Sequence, residues 1–250
     1  MGPPGRAHDQ RRGPAAVLTH DVATMPILLE VIVQTVADAV EATRGGADRL
    51  EVVRDIRDGG LTPPLSLVRA IAAETSLPLR VIVRENAGYA TDAGELSTLR
   101  KAAAELADAG VDGIVLGFAR AGKPALDDVA GVLEVASDVR VTFHRAFDQL
   151  IDPLGAIDEL ARVAQIDRIL TDGGGGTAAS RCERLRDYTA RAGSRLEIIA
   201  GGGVTEEALA LFARTGCVRE IHVGLAARGG DDPEGPVSAA RVRRLRELAG

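Results

Sequence analysis

From Ile27 onward, short runs of aliphatic, largely β-branched residues alternate with longer segments whose apolar positions recur at helical spacing. The first run, Leu28-Leu29-Glu30-Val31-Ile32-Val33, predicts a strand covered on both faces, followed by a helix over 35–43 that stops at Gly45-Gly46. Residues 48–53 predict a second strand. After the Gly59-Gly60 loop, Pro63-Pro64 stands at a helix start, a favoured place for proline, and that helix runs to about Glu74. Residues 79–84 and 113–117 predict the third and fourth strands, with helices over 94–109 and 126–136 behind them. The fifth strand, in 139–148, runs straight into His144, Arg145 and Asp148, unlike a surface turn built from Gly, Pro or Asn. A helix over 153–164 follows it. Residues 168–171 form the sixth strand, ending in Asp172 and four glycines, with a helix to about Ala192. The seventh, 196–200, ends in Gly201-Gly202-Gly203 and leads to a helix over 205–214; the eighth, 220–224, precedes a basic helix over 237–248.

Eight strands alternating with eight helices are what a closed (β/α)8 TIM barrel requires. The competing doubly wound sheet usually shows a Gly-rich fingerprint after its first strand, and here that strand ends in Val33-Gln34-Thr35. The chain is therefore read as α/β, a single barrel domain over 26–250. Residues 1–25, rich in Gly, Pro, Arg and Ala without periodicity, read as a disordered arm, with Met25 an alternative start.

Period two assigns polar side chains to the lumen. Arg49 with Glu51, Arg80 with Ile82 and Arg84, Thr142 with His144, and Glu220 with His222 each share one strand face, and Glu30 sits inside an apolar run. A buried unpaired carboxylate costs several kcal/mol or more, so Glu30 and Glu51 are expected to meet Arg49, Arg84 or Arg145. Structural salt bridges alone would account for such residues. Their convergence at strand ends, where barrels bind ligands, favours a site instead. The glycines after strands six, seven and eight, including Gly201, Gly202, Gly203 and Gly224, would turn backbone N–H groups toward a phosphate or carboxylate beside Thr171.

Composition narrows the partners. The chain is 46% hydrophobic and 26% charged with a formal charge of -6, and it has no Trp, four Phe and two Tyr. This argues against nucleic acid and anionic membranes as partners. No apolar run reaches membrane-spanning length and no secretory signal is evident, so a cytoplasmic protein is expected. Two cysteines make no disulfide framework.

Leu28-Leu29-Glu30, Gly46-Ala47-Asp48-Arg49-Leu50-Glu51, Gly59-Gly60-Leu61-Thr62-Pro63 and above all Thr142-Phe143-His144-Arg145-Ala146-Phe147-Asp148 resemble the CutC copper-homeostasis family, in matching order over about residues 27–228. The resemblance implies a cytoplasmic barrel, often homo-oligomeric, with Cu(I) as bound metal. Where family members often carry a cysteine after the second strand's glutamate, this chain has Val52-Val53. Cu(I) prefers sulfur, and the sulfurs here are Met1, Met25, Cys182 and Cys217, the two cysteines expected at least a helix length apart.

Three functions follow. One is a CutC-type copper-homeostasis protein. Another is a lyase or isomerase for a small phosphorylated or carboxylated substrate, with Arg49, Arg84 and Arg145 near the anion and Glu30, Glu51, Asp148 and His144 as acids and bases. A non-catalytic ligand-binding barrel is a third. The only lysines, Lys101 and Lys123, lie outside the strands, so Schiff-base chemistry has no nucleophile. His144 and His222 with Glu51 are the candidates for a divalent metal.

Overall fold

The computed structural model describes residue 2, residues 26–229 and residues 232–250. Apart from Gly2, the arm over 1–25 lies outside the described residues, with Met1, His8, His20 and Met25. The strands are β1 (Leu28–Val33), β2 (Arg49–Val52), β3 (Leu79–Ile82), β4 (Gly113–Leu116), β5 (Arg140–Phe143), β6 (Ile166–Thr171), β7 (Glu197–Ala200) and β8 (Glu220–Val223). They pair in parallel, each with the next in sequence, and β8 closes on β1. The helices are α1 (Val36–Gly45), α2 (Leu65–Glu74), α3 (Ala93–Asp108), α4 (Leu126–Leu133), α5 (Pro153–Leu160), α6 (Ala178–Ala192), α7 (Glu206–Thr215) and α8 (Ala239–Ala249). The expected eight-fold barrel is the observed one.

Local chemistry sets the helix ends. Thr35, Asp92, Asp152, Thr177 and Thr205 each accept a backbone N–H of the first turn that would otherwise be orphaned. Several short elements went beyond the sequence pattern, among them 3-10 turns at Ile56–Asp58 and Leu225–Ala227. Ala119–Arg120 and Lys123–Pro124 form a small antiparallel hairpin between β4 and α4, and Arg145–Gln149 winds as a 3-10 turn after β5. Among the described residues no helix is long and apolar enough to cross a membrane.

Outward-facing Leu29, Val31, Leu50, Val52, Val81, Ile114, Val141, Ile169 and Ile221 pack under the helices as the aliphatic core. The lumen is different: it is layered with charge. At its floor Arg80, fully buried, donates to Asp112 Oδ2 at 2.7 Å and to both oxygens of Asp167 at 2.8 and 3.0 Å. Gly113 makes room for that side chain, since a Cβ there would lie 2.5 Å from Arg80 Nη1. Above it, Arg49 sits between Glu30 and Glu220, and Arg168 donates to Glu220 at 3.0 Å. Near the top, Val53, Ile82 and Val115 form a small apolar layer with Ile32 and Ile56 against it.

Because Arg80 is fully buried and ties Asp112 to Asp167 across the floor, Arg80→Ala is expected to lower unfolding free energy by about 3 kcal/mol in urea denaturation.

Candidate functional site

Above that apolar layer the strand C-termini open into a cavity of about 250 Å³. Its polar lining comes from Glu51, Arg84, Tyr89, His144, Arg145, His222 and the Gly202-Gly203 turn. Ile32, Ile56, Ile82, Leu170, Val204 and Leu225 supply its apolar wall.

Glu51 and His222 are adjacent, with His222 Nε2 3.6 Å from Glu51 Oε2. The other ring nitrogen, Nδ1, lies 2.7 Å from Glu30 Oε1. Glu30 is itself bonded to Arg49, which reaches Glu220 with its other arm at 2.5 Å. Burial alone would protonate Glu30, but Arg49 and His222 hold it far below the usual carboxylate range. Glu51 has no such bond: burial pushes it up to about 7, with His222 pulling the other way. Burial opposes charge on His222, yet Glu51 and Glu30 together raise its pKa. The result is a carboxyl at the cavity wall that burial brings to titrate near neutrality, with a histidine behind it favouring the ionised form.

His144, delivered by the end of β5, is the opposite case. Its Nδ1 accepts the Ala146 N–H at 3.1 Å, and Tyr89 packs edge-on against the ring at 5.3 Å between centroids. Burial, with Arg84 and Arg145 nearby, lowers its pKa to about 3, so the ring stays neutral.

Arg84 donates to the carbonyls of Gly59 at 3.1 Å, Gly60 at 3.5 Å, Gly88 at 3.3 Å and Ala87 at 2.5 Å, and its guanidinium lies over the Tyr89 ring. It makes no ion pair among the described residues. Arg145 is bound to Asp148 and Asp172, each at 2.8 Å, rather than to Glu30 or Glu51. Asp148 accepts Thr171 Oγ1 at 2.6 Å and the Asp172 N–H at 3.2 Å. This network, with Arg181 donating to the Asp172 and Gly201 carbonyls at 2.6 and 2.7 Å, shapes the turn after β7. Gly202 has φ +67°, and a Cβ there would lie 2.7 Å from Asp172 Cβ. The N–H groups of Gly173, Gly174 and Gly201 are already bonded within the protein. Those of Gly202 and Gly203 find no acceptor among the described residues.

Of the residues expected at a site, Glu51, Arg84, His144, Arg145, Gly202, Gly203, Gly224 and His222 thus line one cavity. Glu30 and Arg49 sit one layer beneath it, and Asp148, Thr171 and Gly201 stand behind its wall. Sequence reasoning missed Tyr89, Asp172 and Arg181. Tyr89, one of two tyrosines, follows a strand end, which was the available signal.

The cysteines correct an expectation. Cys182 and Cys217, expected a helix length apart, are close: Cys182 Sγ is 3.1 Å from Thr215 Oγ1, two residues before Cys217. The reason is an offset of α7 along the axis of α6. The end of α7 reaches the first half of α6. Both thiols are buried in the outer layer away from the mouth, and burial pushes Cys217 up to about 12.

Because folding raises the Glu51 pKa from 4.5 to about 7, the folded state binds its proton more tightly than the unfolded chain does. That contribution is complete below about pH 4.5 and is lost as pH rises through about 7. Glu51→Gln is expected to remove this slope and to stabilise the protein at pH 8 by on the order of 2 kcal/mol relative to wild type, read from urea midpoints across that range.

The CutC family model matches residues 27–227. The family protein CutC of Treponema denticola is 33% identical over 204 residues, covering 81% of this chain and 82% of that protein. The human copper homeostasis protein cutC homolog is 30% identical over 197 residues, 78% of this chain and 72% of its own. In fold, the crystal structure of CutC from Streptococcus agalactiae superposes with a TM-score of 0.72 at 22% identity, covering 78% of this chain and 97% of that one. With the barrel and the order of its motifs in agreement, the chain belongs to the CutC copper-homeostasis family.

Proposed function

We propose that the mouth cavity binds a small organic anion, phosphorylated or carboxylated, and that Glu51 with His222 exchanges protons with it. Arg84 is the observation that carries this reading. It is a buried cation lining the cavity, with its N–H groups turned to neutral carbonyls and no carboxylate in ion-pair contact among the described residues. Burial pulls its pKa below the ordinary guanidinium range. An uncompensated buried charge is costly, and an anionic group on the ligand would supply the missing counter-charge. The half-exposed Arg145 and the unbonded N–H groups of Gly202 and Gly203, just ahead of α7, favour the same sign of ligand. The cavity is below the roughly 300–1,000 Å³ of drug-sized sites, which suits a metabolite of a few carbons.

Family membership raises Cu(I) as the alternative cargo. The mouth offers carboxylate, imidazole, guanidinium and backbone groups but no sulfur among the described residues, whereas Cu(I) favours thiolate and thioether. Nor do three His, Cys, Asp or Glu side chains gather into a possible metal centre among the described residues, and His144 and His222 do not share one with Glu51. The residues present do not fit copper, or a three-ligand zinc site, at this mouth.

Calorimetric titration with inorganic phosphate, glycerol phosphate, malonate and 2-oxobutyrate tests the anion reading. At least one is expected to bind, adding roughly 2.7 kcal/mol of stability at about 100 times its Kd, and Arg145→Ala is expected to weaken it about tenfold. Wild-type protein that binds none of them would overturn the proposal. Tight Cu(I) binding that survives loss of both Cys182 and Cys217 would overturn the argument from donors.

A further inference from the structure

We propose that the cavity catalyses proton transfer at a carbon next to a carbonyl group of its anionic ligand, with Glu51 as the base and His144 as the donor to the carbonyl oxygen. This deepens the anion-site reading and rests on it.

The assignment begins with the His144 ring. Its Nδ1 accepts the Ala146 N–H, so in the neutral imidazole the proton sits on Nε2. The residue is only 4% exposed, its ring lines the cavity, and Nε2 has no protein acceptor among the described residues. A neutral N–H donor fixed in a water-poor site polarises a carbonyl, and its hydrogen bond strengthens as that oxygen becomes negative.

Glu51 is the complementary group. It projects from β2, three strands around the closed ring from β5, so a bound molecule would lie between the two side chains. It too is only 4% exposed, lines the cavity and makes no hydrogen bond to protein among the described residues. Its contact is with His222, which steadies the carboxylate when it is ionised and is held in turn by Glu30.

Other reaction classes lack their parts. No Ser, Thr, Cys or Lys lines the cavity, so covalent addition by such a nucleophile is absent from the repertoire of its described lining. What remains is a base, a neutral donor, an anion clamp of Arg84 and Arg145, and an apolar wall of Ile32, Ile82 and Leu170 for the carbon skeleton.

The step balances without a co-reactant. Glu51 takes a proton from the carbon, and the C–H electron pair becomes the C=C bond of an enolate. The carbonyl π pair moves to the oxygen, held by His144 Nε2–H. Return of a proton from Glu51 to the same face of that carbon restores the substrate, and after the carboxyl has exchanged with D2O it returns a deuteron instead.

The test is 1H NMR in D2O with 2-oxobutyrate, hydroxypyruvate and dihydroxyacetone phosphate, run beside calorimetric binding of the same three compounds. Wild type is expected to exchange the C–H next to the carbonyl of at least one probe about 100-fold faster than buffer. Glu51→Gln is expected to lower that rate about 100-fold or more and His144→Asn about 10- to 100-fold, with the probe's Kd changed less than about threefold in each. If His144→Asn does not fold, Glu51→Gln decides alone. Binding without exchange, or exchange undiminished in Glu51→Gln, overturns the proton-transfer proposal and leaves the anion site standing. Failure of all three probes to bind overturns this proposal, and the anion reading then falls only if phosphate, glycerol phosphate and malonate fail to bind as well.

Discussion

The polar interior hangs on Arg49. Its guanidinium joins Glu30 to Glu220 inside the barrel, where an unpaired carboxylate would be costly. Because Arg49 keeps Glu30 ionised, Glu30 can take the Nδ1 side of His222, and the ring is thereby aimed with Nε2 toward Glu51. Burial sets most of the shift of the Glu51 carboxyl, and the ion pair one layer deeper aims the histidine that works against it. A hydrophobic replacement of the Arg49 cluster could be neutral for stability, as buried ion pairs often are. It would leave His222 without its orienting partner.

Seen along the barrel axis, charge compensation changes from floor to mouth. Arg80 has two carboxylates, Arg49 has two, and Arg168 has Asp167 and Glu220. Arg145, at the rim, has Asp148 and Asp172. Of the two arginines that line the cavity, Arg84 is the one without a carboxylate among the described residues, held by carbonyls that orient it without cancelling its charge. Structural ion pairs explain the lower layers completely. They leave the electrostatics of the mouth unbalanced, and that imbalance separates a candidate ligand site from a merely polar lumen.

Much of this was readable from the chain, because strand periodicity fixes which side chains enter a lumen. Arg49 with Glu51, Thr142 with His144, and Glu220 with His222 followed from period two alone. The pairings did not. Arg49 and Glu220 are 171 residues apart and meet only because β8 closes on β1 with Glu30 opposite His222. Arg84 was expected to meet a carboxylate and instead met the turns after β2 and β3, whose path depends on glycine conformations that no apolar pattern records. The cysteines were misplaced for a related reason: helix order was legible, but the vertical offset between α6 and α7 was not.

The groups at the mouth also constrain one another. Arg84 and Arg145 help keep His144 neutral, and Arg84 helps stabilise ionised Glu51. An anion bound against Arg84 would cancel part of that positive potential. His144 would remain neutral, since burial is the largest contribution to its low pKa. Glu51, losing a favourable neighbour and gaining an unfavourable one, would hold a proton more tightly. By linkage the same coupling makes the anion bind less well when Glu51 is ionised. An anionic ligand in this cavity therefore makes its own base stronger, while the neutral donor facing that base is left unchanged.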